Sequence, residues 1–472
     1  MKTILAVLVV LISGCTVGPN FVRPVAPHSD GYVEAPAGAA ANVPADAQHI
    51  VLGGDVTPDW WTLFHSDALD DLIRQAITGS PTLVAAQSTL AQAQELTAAA
   101  GGARYAQLDL TGGAGRQKYG KEFLGPLTAP PPFTYFAAGV AVNYTFDYAG
   151  GIGRSIEERR ALLEYERQEL RAAHLALSGN VVSQGIAIAS ASERIRAINE
   201  LLAEDQRNLQ LVQASFGAGN TTRVDVLFAD SQLANDETLL PPATQELAVA
   251  RHALAVLLGR GPAEVAAPDF DFGKLSLPVN LPVSLPSELV RQRPDILAAE
   301  ARLHAATAQV GVATANLYPH ITLTGSVGQQ ALSLSNVFTG GNSVWSLTSG
   351  LTAPVFDGGT LRAERRADVD AMHASAANYQ DAVLQGLRQV ADVLSAIDHD
   401  AELLGAENHA LVAAQASLNL ARESYRAGNV GVLQVLDAER AYSRARLEYV
   451  RVQAQRYMDT AQLYLALGGT AP

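Results

Sequence analysis

One cysteine, Cys15, occurs in 472 residues, so no disulfide and no paired-cysteine metal site can form within the chain. Basic residues are in deficit. The 33 Lys and Arg stand against 47 Asp and Glu, a formal net charge of −14. A nucleic-acid binder needs basic surface to displace counterions, so this balance argues against one. Beyond Cys15 no apolar run reaches the roughly 18 residues of a membrane-crossing helix. Catalytic signatures are missing as well. There is no His-Glu-x-x-His, no Gly-x-x-x-x-Gly-Lys-Ser/Thr loop and no Gly-x-Ser-x-Gly elbow. The histidines are scattered, and Asp398-His399-Asp400 falls in a heptad-patterned segment where a solvent-facing position is expected. No enzyme is expected.

What is present begins at the first residue. Met1-Lys2 followed by an apolar run, residues 4–12, reads as a secretion signal. The run ends in Ile12-Ser13-Gly14-Cys15, which resembles a bacterial lipobox, with residues 1–14 removed and Cys15 acylated. That covalent lipid is the one non-protein group expected; no cofactor or metal is. Acyl chains on a single residue anchor a protein to a membrane without spanning it. Residues 15–58 carry Pro19, Pro24, Pro27, Pro36, Pro44 and Pro58, a density that favours extended chain over helix. They read as a strap running from the lipid to the body.

The rest of the chain is written twice. Ser80-Pro81-Thr82-Leu83 lies over Arg293-Pro294-Asp295-Ile296 at an offset of 294 − 81 = 213. Phe146-Asp147 meets Phe356-Asp357. Ser215-Phe216-x-Ala218-Gly219-Asn220 meets Ser424-Tyr425-x-Ala427-Gly428-Asn429 at an offset of 424 − 215 = 209. The units are 59–262 and 287–469, with a Pro-rich linker over 263–286. Each predicts a helix, two strands, a very long helix, a turn and a helix. In the long helices Val181, Ile188, Ile195, Leu202, Leu209 and Phe216 recur every seventh residue, as do Val383, Val390, Ile397, Leu404, Leu411, Leu418 and Tyr425. Sustained heptads predict helices supercoiled on neighbours. The segment 152–215 as one helix would span ~95 Å at 1.5 Å per residue. Pro241-Pro242 should break the first returning helix.

Near 105–119, 133–148, 317–330 and 343–357 the period becomes two, as in Ile321-Thr-Leu323-Thr-Gly325-Ser-Val327. Alternation puts apolar side chains on one face and small polar ones on the other, the pattern of a barrel with lipid outside and water inside. The loops over 121–132 and 331–342 would face outward, with Tyr119, Phe133, Tyr135 and Trp345 at their ends. Four strands are too few to close a barrel, and open edges are not tolerated in lipid. The chain must share its barrel with copies of itself. Three copies would give 4 × 3 = 12 strands, and two or four would also meet the demand.

These motifs resemble the TolC-like outer membrane factors, in the lipoprotein (NodT-type) branch serving resistance-nodulation-division efflux systems. The resemblance runs from about Cys15 to Gly469. It rests on the lipobox followed by Gly18-Pro19-x-Phe21-x-Arg23-Pro24, on Trp60-Trp61-x-Leu63-Phe64, and on Arg293-Pro294-Asp295-Ile296-x-Ala298-Ala299-Glu300. Phe356-Asp357-Gly358-Gly359 and Val435-Leu436-Asp437-Ala438 complete it. It implies an α+β membrane protein: a homotrimer with a 12-stranded barrel and a coiled-coil periplasmic tunnel. Such a chain is a passive outer-membrane duct for small toxic compounds, docked on a periplasmic adaptor protein and an inner-membrane pump. A duct for type I protein secretion and a lipidated periplasmic adaptor are the alternatives. The tips Gly219, Asn220, Gly428, Asn429, Val430 and Gly431 would contact the adaptor. Asp437 matches one aspartate of the family's gate, while the other is Gln434 here. Asp225 matches a latch aspartate whose arginine partner in some members is Val430 here.

Overall fold

The computed structural model describes residues 16–26, 31–32, 48–54, 57–119, 131–265 and 270–469. The signal segment, Cys15 and nearly all of the first loop lie outside them, so the lipidation reading has no structural counterpart here. The elements are β1 (His49–Leu52), α1 (Asp67–Gly79), α2 (Pro81–Gly102), β2 (Gln107–Gln117), β3 (Phe133–Phe146), α3 (Gly151–Gly217), α4 (Arg223–Glu237) and α5 (Leu240–Leu257). The second half supplies β4 (Asn280–Val283), α6 (Pro286–Gln292), α7 (Pro294–Ala315), β5 (His320–Ala331), β6 (Ser343–Thr352), α8 (Thr360–Arg426) and α9 (Val432–Ala466). No described helix is long and apolar enough to cross a membrane.

The duplication is visible in backbone detail. The long helices α3 and α8 each run 67 residues. Each is started by the aspartate of a Phe-Asp pair. Asp147 accepts from the backbone N–H of Ile152 (3.0 Å) and Gly153 (2.8 Å), and Asp357 accepts from Gly359 and Leu361, both at 2.9 Å. Helix N-termini leave such donors unpaired, and a carboxylate there also meets the favourable end of the dipole. The turns that end the long helices use Gly219 at φ 77° and Gly428 at φ 75°, left-handed geometry that only glycine adopts freely.

The chain forms two compact units. One comprises residues up to Pro24, Thr89–Arg167 and Ala298–Gln380; the other comprises Val25–Ser88, Gln168–Leu297 and Asp381–Pro472. Each unit draws on both repeats, because α3 and α8 run through both. The first holds the sheet β2-β3-β5-β6. It also shows what the Gly18-Pro19-x-Phe21-x-Arg23 motif does. The Phe21 ring stacks on His304 at 4.4 Å, Arg23 pairs with Glu300 at 2.7 Å, and buried Arg154 donates to the Asn20 side chain and the Val17 carbonyl. Gly18 lies against Gly311, where a Cβ would come within 2.5 Å of the facing Cα. The strap's first residues are therefore packed and hydrogen-bonded.

The second unit holds the main core, in which Trp60, Phe64, Val181, Ile188, Val390 and Tyr464 are buried. Trp60 stacks on Tyr464 at 5.5 Å. Buried Arg293 donates to the Ala466 carbonyl at 2.6 Å, to Gln389 at 2.8 Å and to Asp295 at 2.7 Å, so one guanidinium fastens α7, α8 and the end of α9. A small parallel sheet, β1 with β4, joins the strap to the linker, and sequence patterning does not reveal it. The first returning helix is broken, as the two prolines require. The break falls before them, at Thr238 and Leu239, and Pro241-Pro242 sit in the first turn of α5. A proline clashes with the carbonyl four residues back, here Glu237, the last residue of α4; a first-turn position needs no N–H.

Candidate functional site: the strand sheet and the helical tips

The register of the sheet sorts its side chains. Directly opposed residues share a face. Leu110 lies opposite Val140, Val140 opposite Val327, and Val327 opposite Trp345, so one row across all four strands is apolar. The next row on that face is Leu108, Val142, Gly325 and Leu347. The row between them is Asp109, Ala141, Ser326 and Ser346, on the opposite face. There the Ser326 and Ser346 hydroxyls bond at 2.8 Å and Thr111 donates to the Gly139 carbonyl at 3.2 Å. The apolar face is uncovered: Leu110 is 87% exposed and Trp345 79%. A water-soluble sandwich would bury that face, whereas lipid accepts it. Tyr119 stacks on Phe133 at 6.0 Å beside the outer ends of β2 and β3, where membrane-interface aromatics belong. Both outer strands, β2 and β6, have a free edge among the described residues.

The two helical tips are packed on each other through Val212, Val226, Ala229 and Leu436, with Leu209 and Val432 beside them. A polar layer lies next to this small core. Arg422 of α8 bonds Glu204 of α3 at 2.7 Å and Glu439 of α9 at 3.0 Å, and Asn208 of α3 also donates to Glu439. Burial pushes the Glu439 carboxyl up despite those partners. On the other side Arg440 of α9 donates to Gln232 of α4, which donates to Asp236 at 2.5 Å.

The residues singled out in the sequence are spread over this region. Asp437 is exposed on α9, 3.5 Å from Arg440, and Gln434 is exposed one turn earlier. Asp225 bonds within its own turn. Its carboxylate accepts from the Thr221 hydroxyl at 2.6 Å, the Thr222 N–H at 2.8 Å and the Thr222 hydroxyl at 2.7 Å, and these bonds hold it below the usual carboxylate range. With Thr222 it forms a capping box at the start of α4. No described bond links Asp225 to the second hairpin. Gly219, Asn220, Gly428 and Asn429 are exposed in the turns, with Val430 half-buried and Gly431 exposed as the uncapped N-terminus of α9. Sequence reasoning missed the buried acids. Asp205 is almost fully buried beside Asp236, and Asp400, expected in solvent, has a buried carboxylate oxygen beside Asp459.

A sheet with one small-polar face and one uncovered apolar face, in a chain of paired long helices, is the construction of an outer-membrane channel subunit. The Outer membrane efflux protein family matches residues 72–260 and 285–469. The chain is 30% identical over 449 residues to the pyoverdine export outer membrane protein OpmQ of Pseudomonas aeruginosa, covering 93% of this chain and 94% of that protein. It is 27% identical over 475 residues to nodulation protein T of Rhizobium leguminosarum bv. trifolii, covering 97% and 95%. Among solved structures it matches the outer-membrane channel OprN with a TM-score of 0.87 and 28% identity, over 96% of this chain and 99% of that one. The chain belongs to the outer membrane efflux protein family, in the TolC-like NodT-type group, and is an efflux duct of the outer membrane.

Proposed function

We propose that three copies of the chain close a 12-stranded barrel, β6 of each pairing with β2 of the next, and that the helical hairpins continue the duct into the periplasm. The observation that carries this is the sheet itself: four strands, two free edges and an uncovered apolar face. Lipid does not tolerate unpaired strand edges, and cyclic closure pairs them all. The duct is passive. A periplasmic adaptor binds at the exposed tips, and an inner-membrane resistance-nodulation-division pump supplies the energy. Relatives of similar identity bear names for pyoverdine export, cation efflux and toluene efflux, which supports a cargo chosen by the pump. Small toxic compounds are the cargo class we assign. Acylation of Cys15 adds a lipid anchor to the barrel.

Light scattering on detergent-solubilised protein tests the assembly: a protein mass of three chains is expected, and a monomer would remove the barrel. Growth with a clickable fatty acid tests the anchor. Label is expected on the wild type and absent from Cys15→Ala; an unlabelled wild type overturns it.

A further inference from the structure

Each helical hairpin holds a contact between two carboxyl groups, one buried and one half-buried. In the first, Asp205 of α3 is within hydrogen-bonding reach of Asp236 of α4. In the second, Asp400 of α8 is within reach of Asp459 of α9. Asp205 and Asp459 are both 4% exposed. The buried Oδ2 atoms of Asp205 and Asp400 receive no hydrogen bond from any donor group. Placement along the chain is regular. Asp205 and Asp236 lie 15 residues either side of Asn220 and Thr221, and Asp400 and Asp459 lie 29 residues either side of Asn429 and Val430. The difference, 29 − 15 = 14, is two heptads, which puts both pairs on the same seam of their hairpins.

A buried carboxylate in contact with a half-buried one repels it, and each pair leaves one buried oxygen, on Asp205 and on Asp400, without a donor. One proton between them removes a charge and supplies the missing donor. We propose that each pair shares a proton and that this proton clamps the two helices of its hairpin together, α4 on α3 and α9 on α8. Desolvation first, then the neighbouring Asp236, push Asp205 up to about 8; desolvation, then Asp400, push Asp459 up to about 7. The charged surroundings do not replace the proton. Asp205 faces Asp236 from α4 and Glu439 and Arg440 from α9. Arg440 is engaged with Gln232 and Asp437, and Glu439 with Asn208 of α3 and Arg422 of α8. Asp459 faces Asp400 and accepts from Gln455 at 3.0 Å.

The clamp weakens as pH rises. The native pair holds a proton that the separated carboxyls, with ordinary values near 4, would release, so opening a hairpin sheds a proton and is favoured by alkali. The bonds Asp236–Gln232–Arg440–Asp437 connect the first clamp to the aspartate matched to the family gate. On the reading of Asp437 as a gate residue, alkali would therefore ease opening of the gate.

Amide hydrogen exchange on the full-length protein in detergent tests the clamp, with rates corrected for intrinsic pH dependence. Protection in α4 and the facing part of α3 should fall by up to about tenfold per pH unit below about pH 8, then level off. Asp205→Asn, whose amide donates to Asp236 at any pH, should abolish that slope while keeping the amides protected; Asp236→Asn should do the same. Asp459→Asn should remove the slope from α9 and α8 alone. A slope in α4 that persists in Asp205→Asn overturns the proposal. If neither Asn variant folds, the wild type decides alone: a flat α4 profile overturns it. Protection at pH 6 that EDTA abolishes would assign the site to a metal ion and reject the proton. None of these readouts depends on duct assembly, so a flat profile leaves the trimer standing and a failed trimer leaves the profile standing.

Discussion

Thr222 and Asp225 cap one tip, and the other tip has no counterpart. In the first hairpin the Thr222 hydroxyl accepts from the Asp225 N–H while the Asp225 carboxylate returns a bond to the Thr222 N–H. In the second, Gly431 occupies the cap position and offers no side chain, and Gln434 stands where Asp225 would. The two tips should therefore respond differently to single substitutions. Thr222→Ala should cost about 1 kcal/mol, read as faster exchange confined to the first turn of α4. The capping contribution of Asp225 is present at neutral pH and is lost as pH falls through its depressed value, the reverse of the clamp's dependence. Asp437 carries a different expectation. It is exposed and its ion pair with Arg440 is a weak surface one, so it contributes little to folding. Asp437→Ala should leave the thermal transition within about 0.5 kcal/mol of wild type yet raise conductance in planar bilayers. Unchanged conductance would exclude it from the gate.

At the scale of elements, the strands were readable because one face had to differ from the other. The alternation in 321–327 and 345–353 survives in the register as coherent apolar and polar rows. The long helices were readable from their heptads, although Phe216, last in the first row, turns out exposed at the tip. Other features had no periodic signal to read. Strands β1 and β4 are four residues each, too short for any alternation to stand out. The acid pairs were hidden because Asp400 sits between exposed His399 and half-buried Ala401, and sequence assigns a charged residue there to water. Only reflection about the turn residues brings Asp400 to Asp459. The strand rows make a sharp prediction. Leu347→Arg puts a charge on the apolar face and should cost about 2–4 kcal/mol on folding into lipid vesicles, while Thr348→Arg, one residue on and on the opposite face, should cost under about 1 kcal/mol. Equal costs would mean that the faces are misassigned.

At the scale of the whole molecule, the demand comes from edges. The strands β2 and β6 each present a row of backbone donors and acceptors with no described partner, and no pairing among the described residues brings β6 back to β2. Within one hydrocarbon layer those groups would cost several kcal/mol each, far more than a chain of ordinary stability can carry. Pairing β6 with β2 of a neighbour is a head-to-tail contact, which must either close into a ring or grow without limit. Ring size is thus the measurable consequence. Cys15 is the single native cysteine, so introduced thiols report cleanly once it is acylated. A chain carrying Leu110→Cys together with a cysteine at successive alternate positions of β6 should crosslink between subunits at one favoured position. The resulting ladder should show one, two and three chains, with all material converging on three as oxidation proceeds. The favoured position fixes the register between subunits, because a slip of one residue would turn the thiols to opposite faces. A ladder ending at two or four chains, or continuing upward, would reject the twelve-stranded barrel while leaving the faces of the sheet as assigned.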